Sequence, residues 1–177
     1  MDLQITPSWL QLMANYNAWQ NENLYHAADG LEDEDRREAR GAFWRSMHET
    51  FCHILWADQQ WLSRLTDDVS PPTAGLKQSG SIVSGWEQLK RQREQMDRQL
   101  ETWAAEVQAD ELMGDLRWHS GATGKELVKS KALCICQLFN HQTHHRGQVH
   151  TMLTQAGAKP GDTDMPFMPE GWVPTGI

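Results

Sequence analysis

The chain predicts an all-α fold, a four-helix bundle, and three observations predict it. Four long stretches carry apolar residues at helical spacing, strand-like alternation is scarce, and loops bearing Gly and Pro separate the stretches. A length of 177 residues suits one domain, taken here as 1–177, and is enough to bury a sizeable core.

The first helix is predicted over about 7–28. Thr6-Pro7-Ser8 supplies helix-start chemistry, and Trp9, Met13, Tyr16, Gln20 and Leu24 then recur along one face up to Gly30. The next ten residues, LEDEDRREAR, are nearly all charged and read as a solvated connection with some helical turn. The second helix is predicted over 43–65, with Ile54, Leu55, Trp61, Leu62 and Leu65 as its apolar set. Two prolines and two glycines in 66–80 mark a loop. The third helix is predicted over 81–107, anchored by Trp86, Leu89, Met96, Leu100 and Trp103, with Lys90, Arg93, Asp97 and other charges on its exposed positions. Residues 111–124 break the pattern as a short irregular or hairpin excursion. The fourth helix follows over 126–156, stopped by Gly157 and Pro160. The tail holds four of the seven prolines in an extended segment. Its spaced Met165, Phe167, Met168, Trp172 and Val173 argue that it lies back on the body.

Composition excludes several classes. A formal net charge of −8 without a clustered basic run argues against nucleic-acid binding. No apolar run approaches the length of a membrane span, and the N-terminus has no signal pattern. Three cysteines without a C-x-x-C spacing argue against a disulfide framework and fit a reducing cytoplasm.

The chemistry concentrates in the fourth helix. His141 and His145 are four residues apart, so both imidazoles lie on one face about one turn apart, on the stripe a bundle helix turns inward. That spacing suits one metal ion, whose binding would offset the cost of burying two imidazoles. It equally describes two half-buried polar positions. The residue after His141 is Gln142, where zinc peptidases carry a glutamate base; an amide cannot take a proton from metal-bound water. On the second helix His53 lies on the line Ser46, Thr50, His53, Ala57, Gln60, whose small and polar members suit a pocket wall as well as the edge of the apolar stripe. One histidine from the second helix and two from the fourth would make a three-nitrogen site, the open type found in catalytic zinc proteins. Ligand type alone does not choose among zinc, nickel, iron and cobalt.

Three stretches carry a resemblance to a known family: YNAWQNENL at 16–24, GAFWRSMHETFCHILWADQQWLSRL at 41–65 and LFNHQTHHRGQVHTML at 138–153. A second-helix His followed by D-x-x-W-L, joined to a fourth-helix N-H-x-x-H-H-R-G-Q, is specific. The chain resembles the DinB family of metal-binding four-helix bundles, with its YfiT-like and bacillithiol-transferase-like members. The resemblance implies one divalent metal per chain held by His53, His141 and His145, a homodimer, and a cytoplasmic protein tied to damage or stress. It also implies, for some members, metal-dependent transfer of a low-molecular-weight thiol.

On this basis the expected activity is a thiol S-transferase acting on an electrophilic small molecule in the metal cavity. Asp58, Asn140 and Gln148 are candidates to hold ligand imidazoles or substrate polar groups, beside Thr50 and His144, and Arg146 to hold a carboxylate of the thiol. Helix-surface polarity is the plainer reading of Asp58 and Arg146, and interhelical hydrogen bonding the plainer reading of Asn140 and Gln148. Glu49 is the one nearby carboxylate on the His53 face, as a metal-dependent hydrolase would need. The main alternative, ahead of the hydrolase, is a non-catalytic dimer with a structural ion, and closure of the site by Cys52 or Cys134 would favour it.

Overall fold

The computed structural model describes residues 3–177, and the fold is mostly helical with one small sheet. Helix α1 spans Pro7–Asp29, with the Trp9 N–H donating to Thr6 Oγ1 at 3.2 Å and Pro7 where no intrahelical donor is needed. The charged connection forms one short helix, α2, Asp33–Arg37. Helices α3 (Met47–Leu65), α4 (Trp86–Glu106) and α5 (Lys131–Gln155) follow. Helix α1 lies against α4 and α5, and α3 lies against the same two. Among the described residues no helix is long and apolar enough to cross a membrane.

Three helix starts differ from the expected ones, each for a local reason. Helix α3 begins at Met47 rather than 43 because Arg45 takes a left-handed φ of 60° and Ser46 Oγ caps the Glu49 N–H at 3.2 Å. Helix α4 begins at Trp86 rather than 81 because the segment before it closes a 3₁₀ turn, Leu76–Ser81. Helix α5 begins at Lys131 because the excursion is longer than expected: β1 (Asp115–Ser120) and β2 (Lys125–Ser130) form an antiparallel hairpin with Trp118 opposite Leu127. Arg64 of α3 sits 4.7 Å over the Trp61 ring and 5.4 Å over Trp118, pinning the hairpin to the helices. At its other end α5 stops at Gly157, whose φ of 82° suits a residue without a side chain.

The apolar core runs between the long helices, with Tyr25, Phe51 and Trp86 packed ring on ring near one end and Leu62, Leu100 and Ile135 fully buried elsewhere. One expectation is corrected here. Lys90, Arg93 and Asp97, placed on the exposed face of α4, are buried, because each has a charged partner close by.

The tail does lie back on the body, held by polar ties while Met165, Phe167 and Val173 stay exposed. Tyr16 Oη donates to the Thr163 carbonyl at 2.6 Å, Gln20 Nε2 to the Asp162 carbonyl at 2.9 Å, and the Ile177 N–H to Glu94 Oε1 at 2.7 Å. Under its last residues is a cavity of about 490 Å³ bordered by Glu101. Burial, then the Asp97 charge, push the Glu101 carboxyl up to about 7. The folded chain therefore keeps this proton to higher pH than the unfolded chain, so its contribution to stability is lost as pH rises towards 7. Replacing Glu101 with Gln should flatten that part of the profile, read as the difference from wild type in urea melts at about pH 5 and pH 8.

Candidate metal centre

Helices α3 and α5 pack side by side and bring together His53, His141 and His145. Each offers one ring nitrogen, and the three atoms lie within 4.8 Å of one another. The ring centroids are 5.0, 4.7 and 4.4 Å apart. The Nε2 atoms of His53 and His141 face each other at 3.1 Å, a separation that suits a proton shared between them or two nitrogens bound to one ion at about 2.0–2.1 Å. His145 is fixed in one tautomer. Its Nδ1–H donates to Gln148 Oε1 at 2.7 Å, and since an amide oxygen only accepts, Nε2 keeps its lone pair. His53 Nδ1 bonds to the buried hydroxyl of Ser79 at 2.8 Å.

Two indoles lie beside His53. The Trp44 ring stacks on His53 at 4.3 Å and 27°, and the Trp56 ring lies 6.0 Å away at 18°. In this apolar setting burial, then the neighbouring His141 and His145, pull His53 down to about 3. Burial, then His145 and His144, pull His141 down to about 4. His145 is lowered too, by burial and partly offset by its bond to Gln148. All three are neutral at pH 7, the state in which imidazole binds metal.

The other candidate residues are placed as follows. Gln148 touches the trio through His145, and His144 is exposed with its ring 4.9 Å from the His145 ring. Asn140 is exposed. The Thr50 hydroxyl turns back to donate to the Ser46 carbonyl at 2.7 Å. The Glu49 carboxylate is held by Arg45 at 2.7 and 3.3 Å. Asp58 and Arg146 are buried, so helix-surface polarity does not describe them. Asp58 accepts from Arg93 at 2.6 Å, while Arg146 donates to Asn17 and lies 5.7 Å from the Tyr16 ring centre. The Cys52 thiol donates to the Val83 carbonyl at 3.4 Å, and burial pushes it up to about 11.

Residues absent from the sequence-based candidates surround His53: Trp44, Trp56 and Ser79. Ser79 comes from a loop with no periodicity to mark it, and Trp44 from a turn that reads as the start of a helix.

The donor set fits a divalent cation. It offers neutral nitrogens, one with its tautomer fixed by the outer ring nitrogen, as metal-binding histidines commonly have. The Nδ1 of His141 is buried without a hydrogen-bond partner. Among the described residues the trio stands without a Cys, Asp or Glu at comparable distance.

The family model for the DinB family matches residues 5–173. The chain belongs to the DinB family. Protein DinB of Bacillus subtilis (strain 168) is 19% identical to it over 149 residues, covering 84% of this chain and 87% of that relative. No solved structure matches the chain. His53 lies on α3 within the stretch 41–65, and His141 and His145 on α5 within the stretch 138–153.

Proposed function

We propose that His53, His141 and His145 hold one divalent metal ion and that the protein is a transferase joining a low-molecular-weight thiol to an electrophilic small molecule. The observation that carries the proposal is the convergence of three neutral ring nitrogens within 4.8 Å in a DinB-family chain. Held by these three residues, a divalent ion would supply the acidity that makes a thiol a thiolate at neutral pH. The chain's own residues do the rest. Gln148 and Ser79 orient His145 and His53, and the Trp44 and Trp56 indoles lower the local dielectric around His53. The same reading takes the four long helices as one DinB/YfiT-like bundle in a single domain, and the protein as a cytoplasmic homodimer.

The engagement of Cys52 with a backbone carbonyl favours an open site over a structural ion closed by that thiol. The hold of Arg45 on Glu49 counts against the hydrolase alternative, whose base would be that carboxylate. The test is elemental analysis of purified wild type beside His141→Ala, with thermal melts with and without chelator. The expected result is about one metal ion per chain in wild type, lost in the variant, with a small melting shift on stripping. A large shift would favour the structural ion. No metal under any loading condition would overturn the assignment of the three histidines.

A further inference from the structure

We infer that Trp44, seated by the absence of a side chain at Gly80, is the positioning residue that sets the plane of the His53 imidazole. The inference rests on the proposed metal site. It adds a part of that site drawn from neither of the helices that carry the histidines.

Residues 40–46 form a tight turn. The Arg40 N–H donates to the Arg45 carbonyl at 2.8 Å, the Arg45 N–H to the Ala42 carbonyl at 2.9 Å, and the Ser46 N–H to the Trp44 carbonyl at 2.7 Å. Gly41 and Arg45 both have positive φ, at 79° and 60°. The second is a left-handed backbone that a side-chain-bearing residue adopts only when its surroundings require it. The surroundings here are the ion pair from Arg45 to Glu49, one turn into α3, and the Ser46 cap next in the chain. This turn delivers the Trp44 indole onto His53 at 4.3 Å and 27°.

The 3₁₀ turn Leu76–Ser81 meets the same ring from another direction. A Cβ built on Gly80 would lie 2.8 Å from Trp44 Cε3 and 3.3 Å from Cζ3. An indole is rigid, so the whole ring would have to move. The neighbouring Ser79 hydroxyl meanwhile bonds His53 Nδ1 at 2.8 Å. Two consecutive residues of one loop therefore act on His53 together: Ser79 fixes the rotation of the ring through its nitrogen, and Gly80 leaves the space in which Trp44 covers its face. A ring fixed at one nitrogen and over its face is preorganised to present the other nitrogen, and metal affinity gains from such preorganisation.

The test is cobalt(II) titration of wild type, Gly80→Ala, Trp44→Ala, Trp44→Phe and the double variant Gly80→Ala/Trp44→Ala, with melting temperatures recorded for each. Gly80→Ala should weaken cobalt about 10- to 100-fold and shift its visible spectrum. Trp44→Phe should retain most of the affinity. The double variant should match Trp44→Ala alone, since the added methyl harms the site only through the indole. Wild-type affinity and spectrum in Gly80→Ala, or additive losses in the double variant, would overturn the inference. Proton NMR of the metal-free proteins separates it from the metal assignment. The indole should shield the His53 ring protons in wild type, and Trp44→Ala and Gly80→Ala should both move them downfield. If wild type binds no cobalt but these shifts appear, the seating of His53 stands and the metal assignment falls. If Gly80→Ala leaves the His53 resonances in place, the seating falls.

Discussion

Arg93→Met should destabilise the protein by about 3–5 kcal/mol, enough to lower the melting temperature by roughly 6–20 °C. The guanidinium is 1% exposed and has two buried carboxylate partners on different helices. Nη1 donates to Asp58 Oδ2 of α3 at 2.6 Å, and Nε donates to Asp97 Oδ2 one turn along α4 at 3.1 Å. Asn21 Nδ2 of α1 also donates to Asp97 at 2.8 Å, so the group links three helices. Burial raises both carboxyls and Arg93 lowers them, while burial pulls Arg93 down and the carboxylates push it higher still. Removing the cation leaves two buried carboxyls without their counter-charge, and that is where the cost arises. The pair need not be favourable in total. Arg93→Met/Asp58→Leu/Asp97→Leu should therefore recover much of the loss, although Asn17 and Asn21 then lose their acceptor. Urea melts of the single and triple variants decide it. A loss under about 1 kcal/mol for Arg93→Met would mean that the ions relax into water and the link between helices is weak.

This network marks where sequence reasoning stopped. Periodicity located four helices and the inward face of α5, since His141 and His145 share the stripe of Leu138 and Met152, which are both buried. His53 was legible from the small and polar residues along its line. Charge, however, does not mean exposure here. Arg93 and Asp97 read as solvent-facing because the partner of Arg93 on another helix, Asp58, leaves no periodic trace on α4. The start of α3 at Met47, later than the spacing predicts, has a related reason: Phe43 and Trp44 extend the apolar stripe, and nothing in their identity announces the left-handed Arg45. Ser79 and Gly80 lie in a stretch whose composition says only that it turns. What one helix face determines was readable; what loops and cross-helix pairs determine required coordinates.

His145→Ala should weaken metal binding by at least about a hundredfold, since one nitrogen of three carries a large share of a binding energy of order ten kcal/mol. Gln148→Leu should cost less, about 10- to 100-fold, because it removes only the acceptor that holds the His145 proton on Nδ1. The ordering follows from the two roles: His145 supplies a lone pair, while Gln148 decides which nitrogen carries it. Gln148→Glu sharpens the contrast. A carboxylate still accepts from Nδ1–H and makes the imidazole more basic, so affinity should be kept or raised. A third nitrogen that served only to pack α5 against α3 would instead leave affinity unchanged in His145→Ala, with Gln148→Leu and Gln148→Glu equally silent. Competition with a chromophoric chelator reads all three variants, and melting curves of the metal-free proteins show whether each still folds.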